Sequence, residues 1–167
     1  MHRLILMRHA EAERAHAGGD RERPLSPRGR EDAARIGRAL ARRGLRPDVA
    51  LVSTATRTRQ TWDLVQDAFG DVEVRIEPDL YDAPAADLHA AIAAAAEDAG
   101  CLLVLAHNPG VQLLAADYLL QGAASPALMD RMTGGFPSGA AAVFAIDAAG
   151  RPSHEAWLTP RDPGLAE

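Results

Sequence analysis

Three short apolar segments of the sequence are each followed by side chains that could bind an anion. Arg8 and His9 come directly after the first segment, and Arg57 follows the second after a short polar stretch. His107 ends the third segment. A guanidinium group carries a positive charge at any working pH, and an imidazole can donate a hydrogen bond or take up a proton. These residue types at strand ends predict an anion-binding site.

The predicted site requires the apolar segments to be strands of one sheet. Short apolar runs bounded by polar residues are typical of strands buried on both faces, as in parallel sheets covered by helices. Ligands bind at the carboxyl ends of such strands in open α/β sheets. The predicted strands are Leu4–Met7, Val49–Ser53, Val72–Ile76, Cys101–His107 and Ala140–Ile146.

Helical patterns separate the predicted strands. Ser26 and Pro27 have the residue types of an N-cap and a first helical position, and Gly44 is a plausible end of that helix. Strands that alternate with helices indicate βαβ crossovers and a mostly parallel α/β sheet in three layers. The other predicted helices begin near Thr58, span about 85–99, and follow Asn108 and Pro109.

Composition and charge narrow the class of protein. The 167 residues, 47% hydrophobic and 25% charged, suit a single globular domain over residues 1–167. A net charge of −5 argues against general nucleic-acid binding. The single cysteine, Cys101, excludes an internal disulfide and a multi-cysteine metal site, and we expect it to pack. Without a membrane-length apolar stretch or a signal peptide, we expect a cytoplasmic protein with no membrane partner.

Six segments carry a family resemblance in a consistent order. They are MRHAEA, DRERPLSPRGREDA, STATRTRQT, LAHNPGV, FPSGAAAVF and WLTPRD. The first, which contains Arg8 and His9, is similar to the Arg-His-Gly/Ala signature of the histidine phosphatase superfamily, which includes phosphoglycerate mutases and phosphatases. The whole set resembles the small bacterial members similar to the phosphohistidine phosphatase SixA. The resemblance implies a doubly wound, phosphoglycerate mutase-like α/β fold.

The resemblance also implies roles for individual residues. His9 would be the nucleophile and carry the phosphoryl group as a phosphohistidine, while Arg8, Arg57 and His107 would bind the phosphate oxygens. Asn108 would bind substrate beside them, at the start of a helix whose free backbone N–H groups point to the anion. No metal or other cofactor is expected. Because attack needs a neutral His9, whereas His107 gains from positive charge beside phosphate, we expect opposed pKa shifts and a pH optimum bounded on both sides.

The general acid is the open part of this prediction. Larger family members supply a carboxylate after the third strand, where this chain has EPDLYDAPAADL. Asp82 is the nearest candidate, although a turn or N-cap role before Pro84 explains it equally well. Asp79 and Asp87 are weaker candidates. A departing imidazole depends less on an acid than a departing alkoxide does.

Three functions therefore stay open. The leading hypothesis is a metal-independent phosphatase that removes phosphate from phosphohistidine on a protein, such as a signalling phosphotransfer domain. The second is a phosphomonoesterase that acts on a small phosphorylated substrate with Asp82 as general acid. The third is a phosphate-binding regulatory module without turnover. The oligomeric state is left open.

Further polar residues border the predicted site. The polar segment 11–24 should form a loop at its rim. Its arginines and His16 could meet an acidic partner surface or remain solvated. Glu11 could orient Arg8 or the loop, and Ser138 could donate a hydrogen bond or begin a strand. His2, His89 and His154 are expected to be solvated or packed, with His154 just before a late strand.

Overall fold

A six-stranded mixed sheet forms the centre of the computed structural model, which describes residues 1–162 and Leu165. The strands are β1 (Arg3–Arg8), β2 (Val49–Ser53), β3 (Glu73–Glu77), β4 (Cys101–Ala106), β5 (Ala141–Ile146) and β6 (Pro152–Leu158). They follow the order β3-β2-β4-β1-β5-β6. The pairs among β1 to β4 are parallel, whereas β5 is antiparallel to β1 and β6 is antiparallel to β5. The mostly parallel sheet is confirmed, and His154 lies inside β6 rather than before it.

Two layers of helices cover this sheet, which confirms the predicted three-layer α/β fold. The α1 and α2 helices pack on one face, and α3, α4 and α5 pack on the other. Residues 11–24 form a loop apart from a short 3₁₀ turn, and a second 3₁₀ turn follows β3. The helices are α1 (Pro27–Arg42), α2 (Thr56–Gln66), α3 (Ala85–Ala95), α4 (Gly110–Gln121) and α5 (Pro126–Thr133); the 3₁₀ turns are Asp20–Glu22 and Pro78–Leu80.

The first strand shows why apolar runs build this sheet. Leu4 and Leu6 pack under α3, α4 and α5, while Ile5 and Met7 pack under α1 and α2. All four side chains are fully buried. Because successive side chains of a strand point to opposite faces, a strand between two helical layers needs apolar residues at every position. Each such burial contributes roughly 1.5–3 kcal/mol.

Helix ends follow local chemistry, including one that the prediction placed wrongly. The Ser26 hydroxyl accepts the Gly29 N–H at 3.0 Å, which confirms the predicted N-cap of α1. The third helix ends at Ala95 rather than near residue 99. Asp98 explains the difference, because a carboxylate opposes the dipole at a helix C-terminus, and this one pairs with Arg75 at 3.0 Å instead.

The short α5 helix was not predicted, although its N-terminal signal was present. Ser125 caps it by accepting the Leu128 N–H, and Pro126 occupies its first turn. The same Ser-Pro pair marks the start of α1. With only eight residues, α5 offers too few turns for an apolar period to stand out.

Two further findings bear on the expected class. No helix within residues 1–162 is long and apolar enough to cross a membrane. Cys101 is buried at the start of β4, and burial raises the pKa of its thiol to about 11. The thiol is therefore protonated at neutral pH and packs as a small apolar group.

Candidate active site

The carboxyl ends of β1, β4 and β2 lie side by side and form the floor of a cleft. Arg8 pairs with Ala106 across the parallel β1–β4 ladder, so the residues that follow them, His9 and His107, emerge together. Their ring centroids lie 5.3 Å apart. The cleft encloses about 430 Å³. Its lining residues are Arg8, His9, Glu11, Ala12, Asp20, Arg23, Arg57, Asp82, His107, Asn108 and Ser138.

The ring of His9 is held in one orientation and one tautomer. Its Nδ1–H donates to the backbone carbonyl of Ala10 at 2.8 Å, and its Nε2 accepts the Nε–H of Arg57 at 3.3 Å. The residue is only 8% exposed. Burial, with the charges of His107, Arg57 and Arg8, lowers the pKa of His9 to about 3. The ring is therefore neutral, and the lone pair on Nε2 is directed to the cationic side of the cleft.

Arg57 connects the two histidines to the rim loop. Its Nε–H faces His9, and its Nη2–H donates to Nδ1 of His107 at 3.3 Å. The opposite edge of the guanidinium meets Asp20, through Nη1 to the carbonyl oxygen at 2.9 Å and Nη2 to the carboxylate Oδ2 at 3.2 Å. Arg57 is buried in the first turn of α2, where a cation opposes the helix dipole. The carboxylate of Asp20 offsets that opposition.

A buried hydroxyl fixes α2 to the end of β1. Thr61 Oγ1 donates to the carbonyl of Arg57 at 2.7 Å and accepts the N–H of Ala10 at 3.0 Å. Thr61 is fully buried. Since Ala10 also accepts the Nδ1–H of His9, the same short segment positions both the imidazole and the guanidinium.

His107 is fixed from the opposite side. Its Nε2–H donates to Oγ of Ser53 at 2.7 Å, which leaves Nδ1 to accept from Arg57. Burial, reinforced by the charge of Arg57, lowers the pKa of His107 to about 4. The prediction of opposed pKa shifts is therefore wrong. Both imidazoles are buried beside Arg57 and Arg8, so both lose their protons more easily than a solvated histidine does.

The carbonyl of Phe136 anchors the two remaining predicted anion-binding residues. It accepts Nη1–H of Arg8 at 2.9 Å and Nδ2–H of Asn108 at 3.1 Å. Gly139 makes this possible, because its φ of +77° turns the segment back so that its N–H donates to the carbonyl of His9 at 2.8 Å. Nε of Arg8 is buried and has no hydrogen-bond partner among the described residues. An anion in the cleft could satisfy this donor.

The start of α4 supplies fewer free donors than expected. Pro109 has no N–H, and the N–H of Val111 donates to the carbonyl of His107 at 3.0 Å. The expected array of free N–H groups is thus partly occupied within the helix itself. Side chains carry most of the positive character of the floor.

Asp82 lies on the rim of the same cleft. Its φ of +50° places it in a tight turn, which confirms the turn role, whereas the N-cap of α3 is Pro84. The loop passes close over the start of α4, where a Cβ on Gly110 would lie 2.1 Å from the carbonyl oxygen of Ala83. Gly110 therefore lets the Asp82 loop sit beside the cleft.

The other predicted candidates divide between the cleft and its surroundings. Asp79 and Asp87 line a separate cleft of about 680 Å³ between β3 and α3. Glu11 accepts the hydroxyl of Ser26 at 2.8 Å and so orients the loop against α1 rather than Arg8. Ser138 lines the cleft that contains His9. The four other histidines named in the sequence analysis do not line this cleft; they are His2, His16, His89 and His154.

Asp20 is the site residue that sequence analysis missed. Its Oδ2 accepts from Arg57 and from the hydroxyl of Tyr81, and its Oδ1 accepts from Nε of Arg23 at 2.9 Å. The hydrogen bond from Tyr81 contributes most to lowering the pKa of Asp20 to about 2. The available signal was its place at the head of DRERP, where the neighbouring arginines drew attention instead.

Comparisons with known proteins assign this chain to a family. Residues 4–100 match the model of the histidine phosphatase superfamily, branch 1. The chain belongs to the histidine phosphatase superfamily. An uncharacterized protein of Mycobacterium tuberculosis is 31% identical over 140 residues, which cover 84% of this chain and 87% of the relative. An uncharacterized chloroplastic protein of Arabidopsis thaliana is 39% identical over 89 residues, covering 51% of this chain and 41% of that protein.

A solved structure identifies the branch of the superfamily. The candidate phosphohistidine phosphatase SixA of Agrobacterium tumefaciens superposes with a TM-score of 0.84 at 30% identity. The match covers 95% of this chain and 98% of that one. This member of the histidine phosphatase superfamily is therefore SixA-like. Within residues 1–162 and Leu165, no group of three or more histidine, cysteine, aspartate or glutamate residues could hold a metal ion.

Proposed function

We propose that this protein is a phosphatase that forms a phosphohistidine on His9, and that its substrate is phosphohistidine on another protein. The observation that carries the proposal is the state of His9. Its proton is held on Nδ1 by Ala10, and its Nε2 lone pair faces Arg57 inside a cationic cleft. A neutral imidazole with this orientation is a nucleophile suited to phosphorus.

Substrate binding follows from the donors around that lone pair. Arg8, Arg57 and His107 would hold the phosphoryl oxygens, and Nε–H of Arg57 would leave Nε2 of His9 to bind one of them. Spread negative charge on these oxygens needs positioned cations, which the two guanidinium groups supply. A phosphate dianion beside His107 also favours protonation of that ring, opposite to the effect of burial.

The chemical steps require little of the protein beyond positioning. The Nε2 lone pair of His9 forms a bond to phosphorus while the bond to the leaving nitrogen breaks and its electron pair stays on that nitrogen. The carbonyl of Ala10 stabilises the N–H of the resulting phosphoimidazolium. Water then displaces His9 from phosphorus, which yields inorganic phosphate and regenerates the neutral ring. In this proposal no metal ion takes part.

The carboxylates of the cleft favour a phosphohistidine substrate. Asp20 is ionised at neutral pH, since its pKa lies at about 2, and it cannot protonate a departing alkoxide. An imidazole leaves without such help when its second nitrogen already carries a proton. The rim also consists of exposed loop residues, among them Glu11 and Asp82, and so leaves room for a histidine on a protein surface.

The test compares the protein with its His9→Ala variant on two substrates, without added metal and with a chelator present. The substrates are a phosphohistidine-bearing phosphotransfer domain and para-nitrophenyl phosphate, and His89→Ala serves as a control because His89 is exposed on α3. We expect turnover of the phosphoprotein to exceed that of the ester and to vanish only in His9→Ala. Absence of His9-dependent turnover on both substrates would refute the proposal and favour a phosphate-binding module.

A second candidate function is a small-molecule phosphomonoesterase with Asp82 as general acid. The observation that favours it is that Asp82 is exposed on the rim of the cleft that contains His9. Under this alternative, Asp82→Ala should abolish hydrolysis of an alkyl phosphate and spare a phosphoramidate, whose leaving group is a better one. Equal activity of the parent protein and Asp82→Ala on the alkyl phosphate would exclude this second function.

A further inference from the structure

The carboxylate of Asp20 lies where a phosphatase cleft should not favour negative charge. It contacts Arg57 at 3.2 Å, and Arg57 in turn faces the Nε2 atom of His9 at 3.3 Å. A phosphate dianion held by Arg57 would thus approach a fixed carboxylate. Like charges at such separations repel strongly in a partly buried site. A group that donates a hydrogen bond or carries positive charge would relieve this repulsion if it lay between the phosphate and Asp20 during the reaction.

The surroundings of Asp20 fix its position and leave one side open. Three groups hold it: Arg57 from α2, Tyr81 from the turn after β3, and Arg23 from its own loop. A carboxylate has about four lone-pair positions. With two donors on Oδ2 and one on Oδ1, a further hydrogen bond can be accepted by Oδ1. Asp20 lines the cleft, and its side chain is 52% exposed.

We propose that Asp20 selects the leaving group by accepting a hydrogen bond from the imidazole ring of the substrate phosphohistidine. This inference rests on the function proposed above. The ring nitrogen that does not carry phosphorus would donate its N–H to Oδ1 of Asp20. A carboxylate partner favours the protonated ring, and a protonated ring departs as neutral imidazole. The electron pair of the broken P–N bond stays on the departing nitrogen, and no proton needs to move from the enzyme.

Each of the two imidazoles in the reaction would then have its N–H held by an oxygen of the enzyme. His9 attacks with its Nδ1–H held by the carbonyl of Ala10, and the departing ring leaves with its own N–H held by Asp20. An ester has no N–H to offer, and its departing oxygen develops negative charge beside the same carboxylate. Asp20 would therefore assist one class of substrate and oppose the other.

A purely structural role for Asp20 predicts a different pattern. If Asp20 only positions Arg57, its loss should lower the turnover of every phosphorylated substrate and weaken the binding of inorganic phosphate. If Asp20 selects the leaving group, its loss should affect the phosphohistidine substrate far more and should tighten phosphate binding, since a repelling charge is removed.

The experiment uses Asp20→Asn, which keeps the size of the side chain, with Glu22→Gln on the same 3₁₀ turn as a matched control. We measure kcat/KM on a phosphohistidine-bearing phosphotransfer domain and on para-nitrophenyl phosphate, and the Kd of inorganic phosphate by calorimetry. We expect about a thirtyfold loss on the phosphoprotein and about a threefold change or less on the ester, in line with the loss of one charged hydrogen bond. Phosphate should bind more tightly to Asp20→Asn than to the parent protein.

The outcomes separate this inference from the function on which it rests. Equal losses on both substrates, with weaker phosphate binding, would overturn the inference and leave Asp20 as a positioning residue for Arg57. An unchanged kcat/KM on the phosphoprotein would also overturn it. If the parent protein itself does not hydrolyse the phosphoprotein in a His9-dependent manner, the proposed function fails first, and this inference fails with it.

Discussion

The floor and the rim of the cleft are held in different ways. The floor comprises Arg8, His9, Arg57 and His107 at the ends of β1, β2 and β4. Three of these side chains are nearly or fully buried, and each is fixed by a bond to the backbone or to a buried partner. The rim lies in loops and turns and comprises Asp20, Arg21, Arg23, Tyr81 and Asp82. Contacts within the rim join four of these residues: Arg23 and Tyr81 donate to Asp20, and the guanidinium of Arg21 lies over the ring of Tyr81.

This contrast separates the chemistry from the choice of substrate. Charges in the buried floor are screened little by solvent, so we expect them to dominate the binding of a phosphoryl group and the state of His9. Charges on the exposed rim are screened and individually weak, yet they meet whatever is attached to the phosphate. Changes to the floor should therefore affect all substrates, and changes to the rim should affect some of them.

The largest effect should come from Arg57→Lys. The guanidinium contacts both histidines and Asp20 along two of its edges, and a lysine ammonium cannot make these bonds together. We expect kcat/KM to fall about a thousandfold, or roughly 4 kcal/mol, on every phosphorylated substrate. Arg59→Lys is the matched control, since Arg59 is exposed on the same helix. Near-normal kinetics for Arg57→Lys would mean that the floor needs only a point charge.

The next largest effect should be a loss of folding stability in acid, caused by His9 and His107. The folded pKa values of His9 and His107 lie at about 3 and 4, below the value of about 6.5 for an unfolded histidine. Between these pKa values the unfolded chain therefore binds more protons than the folded chain. The contribution of the two neutral rings to the free energy of unfolding is complete above about pH 6.5, and it is lost as the pH falls toward 4 for His107 and toward 3 for His9. At pH 5 each ring should reduce the free energy of unfolding by about 2 kcal/mol.

Urea unfolding at pH 7.5 and pH 5 measures this loss. The variant His9→Asn cannot take up the proton, so the difference between the two pH values should shrink by roughly one ring's share, about 2 kcal/mol. An equal difference in the parent and the variant would show that His9 does not titrate between the folded and unfolded states as its burial implies.

A smaller effect on the floor is expected from Ser53→Ala. Its hydroxyl accepts the Nε2–H of His107 at 2.7 Å, and both groups are buried. Removing the acceptor leaves a buried N–H unpaired, which should lower the free energy of unfolding by about 1–3 kcal/mol. Thermal unfolding measures the loss, and Ser153→Ala on the exposed side of β6 should leave it within about 0.5 kcal/mol. An unchanged free energy of unfolding in Ser53→Ala would show that this hydrogen bond does not stabilise the fold.

Local patterns predicted the floor because its members lie on regular elements. Each of these residues ends a strand or begins a helix, and parallel neighbours bring such ends to one edge. The sequence pattern did not predict that β5 and β6 pair antiparallel with their neighbours, because an apolar run has the same composition in either strand direction. The shared direction of the two histidine pKa shifts also required the fold, because it depends on how deeply both rings lie beside Arg57.

The rim was harder to predict for the opposite reason. Asp20 lies in a loop far from Arg57 and Tyr81 in sequence, and no period relates the three. Only the packing of that loop over the start of α2 brings them together. Its neighbours Arg14 and His16 are exposed, and whether they meet an acidic partner surface or remain solvated stays open.

The smallest effect should come from Tyr81→Phe, which removes one rim hydroxyl and keeps the ring. The ring lies 4.3 Å from the guanidinium carbon of Arg21 and 5.5 Å from the centroid of His107, so packing is retained. Asp20 loses the contact that contributes most to its low pKa but keeps Arg57 and Arg23. The carboxylate therefore stays ionised at neutral pH, and kcat/KM on a phosphohistidine substrate should change by about threefold or less.

The pH at which Asp20 takes up a proton should nevertheless rise in this variant, because one stabilising donor of its charged form is gone. Steady-state kinetics at neutral pH on a phosphohistidine substrate and on para-nitrophenyl phosphate measure the small change expected for Tyr81→Phe. Tyr118→Phe, on α4 and outside the cleft, is the control. A loss of more than about thirtyfold on both substrates would instead assign Tyr81 to the floor, since only floor residues should act on every substrate alike.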